Sequence, residues 1–112
     1  MERPRIRHIA INVKDRDAEA EFYKANFGME EKLRGPNGTI YLSDGFVDLA
    51  LISNESLGYG IHHFGFHVDS VEAIEASADT KANANTPGAA AESWITDPEG
   101  NRVDVAEVSW PV

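Results

Sequence analysis

The chain has 112 residues, enough for one domain, and its 19 acidic against 10 basic side chains leave a net charge of −9. That balance repels phosphate backbones and argues against a general nucleic-acid partner, while the absence of cysteine excludes disulfides, thiolate metal ligands and cysteine nucleophiles together. No apolar run approaches the roughly 20 residues that span a bilayer, and no signal-peptide core follows the first five residues, so a cytoplasmic protein without membrane partners is expected.

Residues 5–13 alternate and are rich in β-branched side chains, which predicts a strand. Asp15 or Asp17 can cap a helix running through Asn26, with Ala18, Phe22 and Ala25 on one face and Gly28 as its stop. Strands at 29–34, 39–43 and 46–52 follow, broken by the turns Pro36-Asn37-Gly38 and Asp44-Gly45. This first unit reads β-α-β-β-β. Residues 54–60, rich in Ser, Asn and Gly, are a linker. A second unit opens with a strand at 62–68 and a short helix at 71–78, capped by Asp69 or Ser70, with Asp69 and Glu72 at capping-box spacing. Its second strand must lie within the Ala-, Asn- and Gly-rich stretch 79–91. Strand 92–96, the turn Asp97-Pro98-Glu99-Gly100 and strand 101–108 complete it, and Ser109-Trp110-Pro111-Val112 ends the chain.

The two units are copies of one pattern. Arg7-His8-Ile9-Ala10-Ile11-Asn12-Val13 matches His62-His63-Phe64-Gly65-Phe66-His67-Val68 at an offset of 55 residues. Val47-Asp48-Leu49-Ala50 matches Val103-Asp104-Val105-Ala106 at an offset of 56. Two segments in near-register point to a duplicated unit of about half the chain.

Alternation across a strand sorts these side chains by face. His8, Ala10 and Asn12 share one face of their strand, and His63, Gly65 and His67 share one face of its counterpart. Asp48 with Ala50, and Asp104 with Ala106, repeat the division in the closing strands. The opposite faces are large and apolar, suited to packing under helices. A solvated face would carry Lys, Glu, Arg and Thr; here Ala and Gly stand beside His and Asp and leave room for something. Two His and two Asp at duplicated positions form a plausible set for a divalent metal.

These residues, with Glu21-Phe22-Tyr23, Phe27-Gly28-Met29 and Asp97-Pro98-Glu99-Gly100-Asn101, resemble the vicinal oxygen chelate superfamily. That group includes glyoxalase I, methylmalonyl-CoA epimerase, extradiol dioxygenases, fosfomycin-resistance transferases and bleomycin-resistance proteins. The similarity covers essentially the whole chain, poorest at 79–91. It implies an α+β fold in which two β-α-β-β-β modules, residues 1–53 and 61–112 about the linker 54–60, form curved mixed sheets around a central cup. It also implies one divalent metal ion (Zn, Ni, Co, Mn or Fe) held by His8, Asp48, His63 and Asp104. The family usually has Glu at the two closing positions, and Asp is shorter by one carbon–carbon bond, roughly 1.5 Å. The strands then sit closer to the metal, an Asp reaches it through water, or binding is weak; Asp48 is also compatible with a non-ligating neighbour.

The chemistry implied is chelation of a small substrate through two adjacent oxygens by a Lewis-acidic ion. Asp48 or Asp104 would move the proton, giving a lyase, isomerase or epimerase, and Asn12 and His67 would contact the substrate. Two alternatives stand beside it: an Fe(II) ring-cleaving dioxygenase, and a metal-free binding protein of the bleomycin-resistance kind, which Tyr41, Phe46, Trp94 and Trp110 would suit. Exposed strand edges lead to the expectation of a homodimer, with the modules paired within or across chains.

Overall fold

The computed structural model describes residues 4–84 and 92–112. The first half forms β1 (Arg5–Asn12), α1 (Arg16–Phe27), β2 (Glu30–Arg34), β3 (Ile40–Ser43) and β4 (Asp48–Ile52). The second forms β5 (Gly60–His67), α2 (Val71–Ala78), β6 (Asn83–Ala84), β7 (Glu92–Thr96) and β8 (Arg102–Ala106). The fold is α+β, with all eight strands in one curved mixed sheet of order β2-β3-β4-β1-β5-β8-β7-β6. Each half joins its first and last strands in parallel, β1 with β4 and β5 with β8. The halves meet where β1 and β5 pair antiparallel, so one chain supplies both sides of the cup.

Local chemistry accounts for the helix ends. Asp15 caps α1 by accepting from the Ala18 amide, and Gly28 closes it at φ 66°, a left-handed conformation that glycine adopts without a Cβ penalty. At α2 the cap is Ser70, which accepts from the Ala73 amide; the capping box expected from Asp69 and Glu72 is not the one used. The apolar face of α1 also differs from expectation. Ala20 is buried and Tyr23 half-buried against the core, whereas Ala18, Phe22 and Ala25 are exposed. The helix is rotated so that one of its three alanines, Ala20, approaches the sheet, with Ile40, Leu42, Leu49, Leu51 and Val13 packed in the same core. Of the strand expected within 79–91, Asn83–Ala84 pairs with Trp94 and Ser93; residues 85–91 lie outside the described part.

The β1–β5 ladder slips register twice, between Ile6 and His8 and between Ala10 and Ile11. Arg7 is the extra residue of β1 at the first slip, and His62 the extra residue of β5 at the second. These are the repeat-equivalent positions, so the bulges are symmetric about the junction. A bulge breaks the alternation of faces, and this brings His62 Nδ1 within 2.7 Å of His63 Nδ1 although the two are neighbours in sequence.

Candidate functional site

Four strands place one row of residues across the middle of the sheet. Asp48 on β4 pairs with His8 on β1, His8 with Gly65 on β5, and Gly65 with Asp104 on β8. His63 stands two residues off this row, opposite Ala10. All four His and Asp side chains are buried, both aspartates completely.

Within the row the contacts are directional. Asp48 Oδ2 accepts from His8 Nδ1 at 2.8 Å, which fixes the proton of His8 on Nδ1 and leaves Nε2 with its lone pair. That Nε2 lies 3.2 Å from His63 Nε2, and His63 Nε2 lies 3.1 Å from Asp104 Oδ2. The last pair is close but not aligned for hydrogen bonding, and Asp104 Oδ2 has no hydrogen-bond partner among the described residues. Asp104 Oδ1 accepts from Arg102 Nε at 2.8 Å. His8, His63 and Asp104 thus offer one donor atom each within 4.8 Å of one another. Asp48 stands behind His8 and outside that group.

The two aspartates differ electrostatically. Burial pushes the Asp48 carboxyl up, and the neighbouring His8 only partly offsets this. Burial also pushes Asp104 up, but His63 and Arg102 beside it outweigh the effect and hold it below the ordinary carboxylate value. His62 is held down by burial and by His63. Buried carboxylates with unpartnered oxygens are costly unless a cation or proton completes them.

Asn12 and His67 share the sheet face but not the cluster. The Asn12 amide donates to the carbonyls of Asn54, Leu57 and Gly58 and accepts from the Asn54 amide, so it fastens the loop between the modules. It lies four residues from His8, roughly 13 Å along the strand. His67 Nε2 contacts the Glu107 carbonyl at 3.1 Å. Three further residues shape the cluster. Arg102 orients Asp104. Gly65, in mid-row, has no side chain and so leaves room for the Trp110 ring beside Asp104. Trp110, from the chain end, stacks on His8 with ring centroids 4.6 Å apart and planes 5° from parallel. Sequence alternation had Gly65 on this face; nothing in the sequence placed Trp110 there, because an irregular tail has no periodicity to read.

A model of the Glyoxalase/Bleomycin resistance protein/Dioxygenase superfamily matches residues 5–105. Among solved structures, the methylmalonyl-CoA epimerase of Mycobacterium tuberculosis is similar at 20% identity over 89% of this chain and 85% of that one, with a TM-score of 0.71. The 2,3-dioxygenase LapB of Pseudomonas sp. KL28 is similar at 18% identity over 95% of this chain and 41% of that one, with a TM-score of 0.73. A glyoxalase/bleomycin resistance protein/dioxygenase superfamily member from Vibrio splendidus 12B01 is similar at 20% identity over 91% and 97%, with a TM-score of 0.64. Comparison with curated proteins returns no match. Among the described residues, no helix is long and apolar enough to cross a membrane. With nearly the whole sheet inside the matched span, the chain belongs to the Glyoxalase/Bleomycin resistance protein/Dioxygenase superfamily.

Proposed function

We propose that this protein is a metal-dependent enzyme acting on a small molecule held through two adjacent oxygens, in the manner of glyoxalase- and epimerase-type lyases and isomerases. The observation that carries the reading is the convergence of His8 Nε2, His63 Nε2 and the unpartnered Asp104 Oδ2. Nitrogen and carboxylate ligands stand about 2.0–2.2 Å from a zinc-like ion, so neighbouring donors lie roughly 3 Å apart. Two of the separations here, 3.2 Å and 3.1 Å, are of that size, and all three donor atoms lie within 4.8 Å of one another. Zn, Ni, Co, Mn and Fe all accept such a set. When bound, the ion supplies Lewis acidity to the chelated substrate.

The chain's own residues have separable tasks in this reading. His8, His63 and Asp104 hold the ion. Asp48 orients His8 through Nδ1, the arrangement in which a carboxylate fixes the tautomer of a metal-binding histidine. Arg102 keeps Asp104 ionised and aimed. Burial raises the proton affinity of Asp48, but that carboxyl meets the cup only through His8, so of the two carboxylates Asp104 is the one placed to meet a substrate proton. Asn12 and His67, engaged by the linker and by Glu107, serve the scaffold rather than the substrate.

A second reading, an Fe(II) ring-cleaving dioxygenase, is favoured by the donor count, since two histidines and one carboxylate with open positions suit non-haem iron. A homodimer and a cytoplasmic location belong to the same proposal; the exposed Phe22 and Phe27, in ring contact on α1, offer apolar area for a partner copy, and light scattering measures the mass. The metal test is elemental analysis of tag-free protein after incubation with mixed divalent ions and desalting, beside His63→Ala. About one ion per chain in the parent and none in the variant supports the reading. Loaded protein is then offered dicarbonyls, acyl thioesters and, with Fe(II) and oxygen, catechols. No metal in the parent overturns the enzyme reading in favour of a metal-free binder.

A further inference from the structure

The last residues of the chain cross the cup. Glu107 anchors their start, its carboxylate accepting from the Val71 amide and its carbonyl meeting His67. At the far end, Val112 lines a concavity with Phe27, Gly28 and Ser43 of the other module. Between them, the Trp110 indole lies flat on His8, buried to 5% exposure. The pocket it fills is shaped by Gly65: a Cβ there would stand 2.8 Å from Trp110 Cη2 and 3.0 Å from Asp104 Cβ.

The tail is nevertheless lightly tied. Among the described residues no backbone hydrogen bond joins residues 109–112 to the sheet. The indole Nε1 is buried without a hydrogen-bond partner, whereas a buried tryptophan fixed for structure usually satisfies that group. The ring is seated by shape and stacking alone. It covers the histidine whose Nε2 faces His63 and Asp104.

We propose that the tail is an intramolecular occupant of the cup: Trp110 holds the place of a planar ligand over His8, and ligand binding requires the indole to leave. The ligand half of this inference rests on the metal reading above; the occlusion of His8 does not. A tail closed about nine-tenths of the time lowers apparent affinity about ten-fold.

The experiment compares the parent, Trp110→Ala and a chain truncated after Val108. Metal-free protein is treated with diethyl pyrocarbonate, and modification of His8 is followed by peptide mass, with His67, outside the cup, reporting any general unfolding. Expected is an increase of about ten-fold or more in the His8 rate in both variants with His67 unchanged. Equal His8 rates in all three proteins overturn the proposal, and so does a rise shared equally by His67. Nitrocatechol, a planar chromophore with adjacent oxygens, is then titrated into metal-loaded protein. Tighter binding in the variants agrees with the proposal, and weaker binding overturns it by making Trp110 a wall of the ligand site. If no metal binds, the metal reading fails alone and the His8 rates still decide the tail.

Discussion

The two modules share a sequence pattern but put their equivalent aspartates to different use. In the first, β4 lies against β1 so that Asp48 is level with His8, and the pair closes on itself through His8 Nδ1. In the second, β8 is slid by two residues relative to that pattern, so that Asp104 is level with Gly65 instead of His63. A two-residue slip preserves which face each side chain occupies, yet it moves Asp104 into the row of His8; Arg102, two residues away on the same strand, accompanies it. Each carboxylate keeps one oxygen without a hydrogen-bond partner, but that of Asp104 lies 3.1 Å from His63 Nε2, among the donor atoms, whereas Asp48 is engaged with Nδ1 on the far side of His8. The modules differ in packing as well. Helix α1 contributes Ala20 and Tyr23 to the core, while α2 buries no residue. Duplication therefore supplies the parts, and strand register and packing decide what each part does.

The largest test of this asymmetry is metal content. His63→Ala is expected to abolish binding, whereas Asp48→Asn, which keeps an acceptor for His8 Nδ1–H, is expected to weaken it about 10–100-fold; equal loss in both would make the aspartates equivalent after all. Next is Gly65→Ala, whose methyl group meets Trp110 and the Asp104 Cβ. Overpacking of this kind costs about 1–3 kcal/mol, read as a lower midpoint in thermal melts, while a melt unchanged from the parent would mean that the indole moves aside freely.

The carboxylates then predict opposite pH behaviour in metal-free protein. Asp104, facing His63 and Arg102, has a folded-state value below its ordinary 3.8, so its contribution is present above that value and lost as pH falls through the folded one. Asp104→Asn should therefore be less stable than the parent near neutrality, with the gap closing in acid. Asp48, facing His8 and the more distant Glu92, is raised above 3.8. Its cost is full above the raised value and gone below 3.8, so Asp48→Asn should match or exceed the parent near neutrality and converge with it in acid. Melting temperatures across pH would show the two signs, and a shared sign would refute the distinction. The smallest effect compares caps. Asp15→Ala should cost about 1 kcal/mol of global stability, because α1 is packed on the core; Ser70→Ala should chiefly loosen α2 locally, seen as faster amide exchange at residues 71–78 with little change in the melt.

Much of this architecture was legible in the chain. Period-two alternation and the doubled His and Asp motifs identified two β-α-β-β-β units and one polar face, because a strand's side chains must alternate and the repeat carries the same residue types to the same face. Alternation could not reveal His62, since a bulge inserts a residue and resets the count. Nor could it separate Ala20 from Ala18 as the inward residue of α1, because a helix rich in alanine carries a weak apolar stripe.

What the sequence determined by itself is therefore the set of side chains and the face each strand presents, both of which follow from local periodicity and from the internal repeat. Tertiary structure alone decided how the modules join, which aspartate lies in which row, and that Trp110 covers His8. Each of these depends on register or on the return of an irregular segment, and those are settled by long-range packing, to which neighbouring residues in the chain carry no local signal.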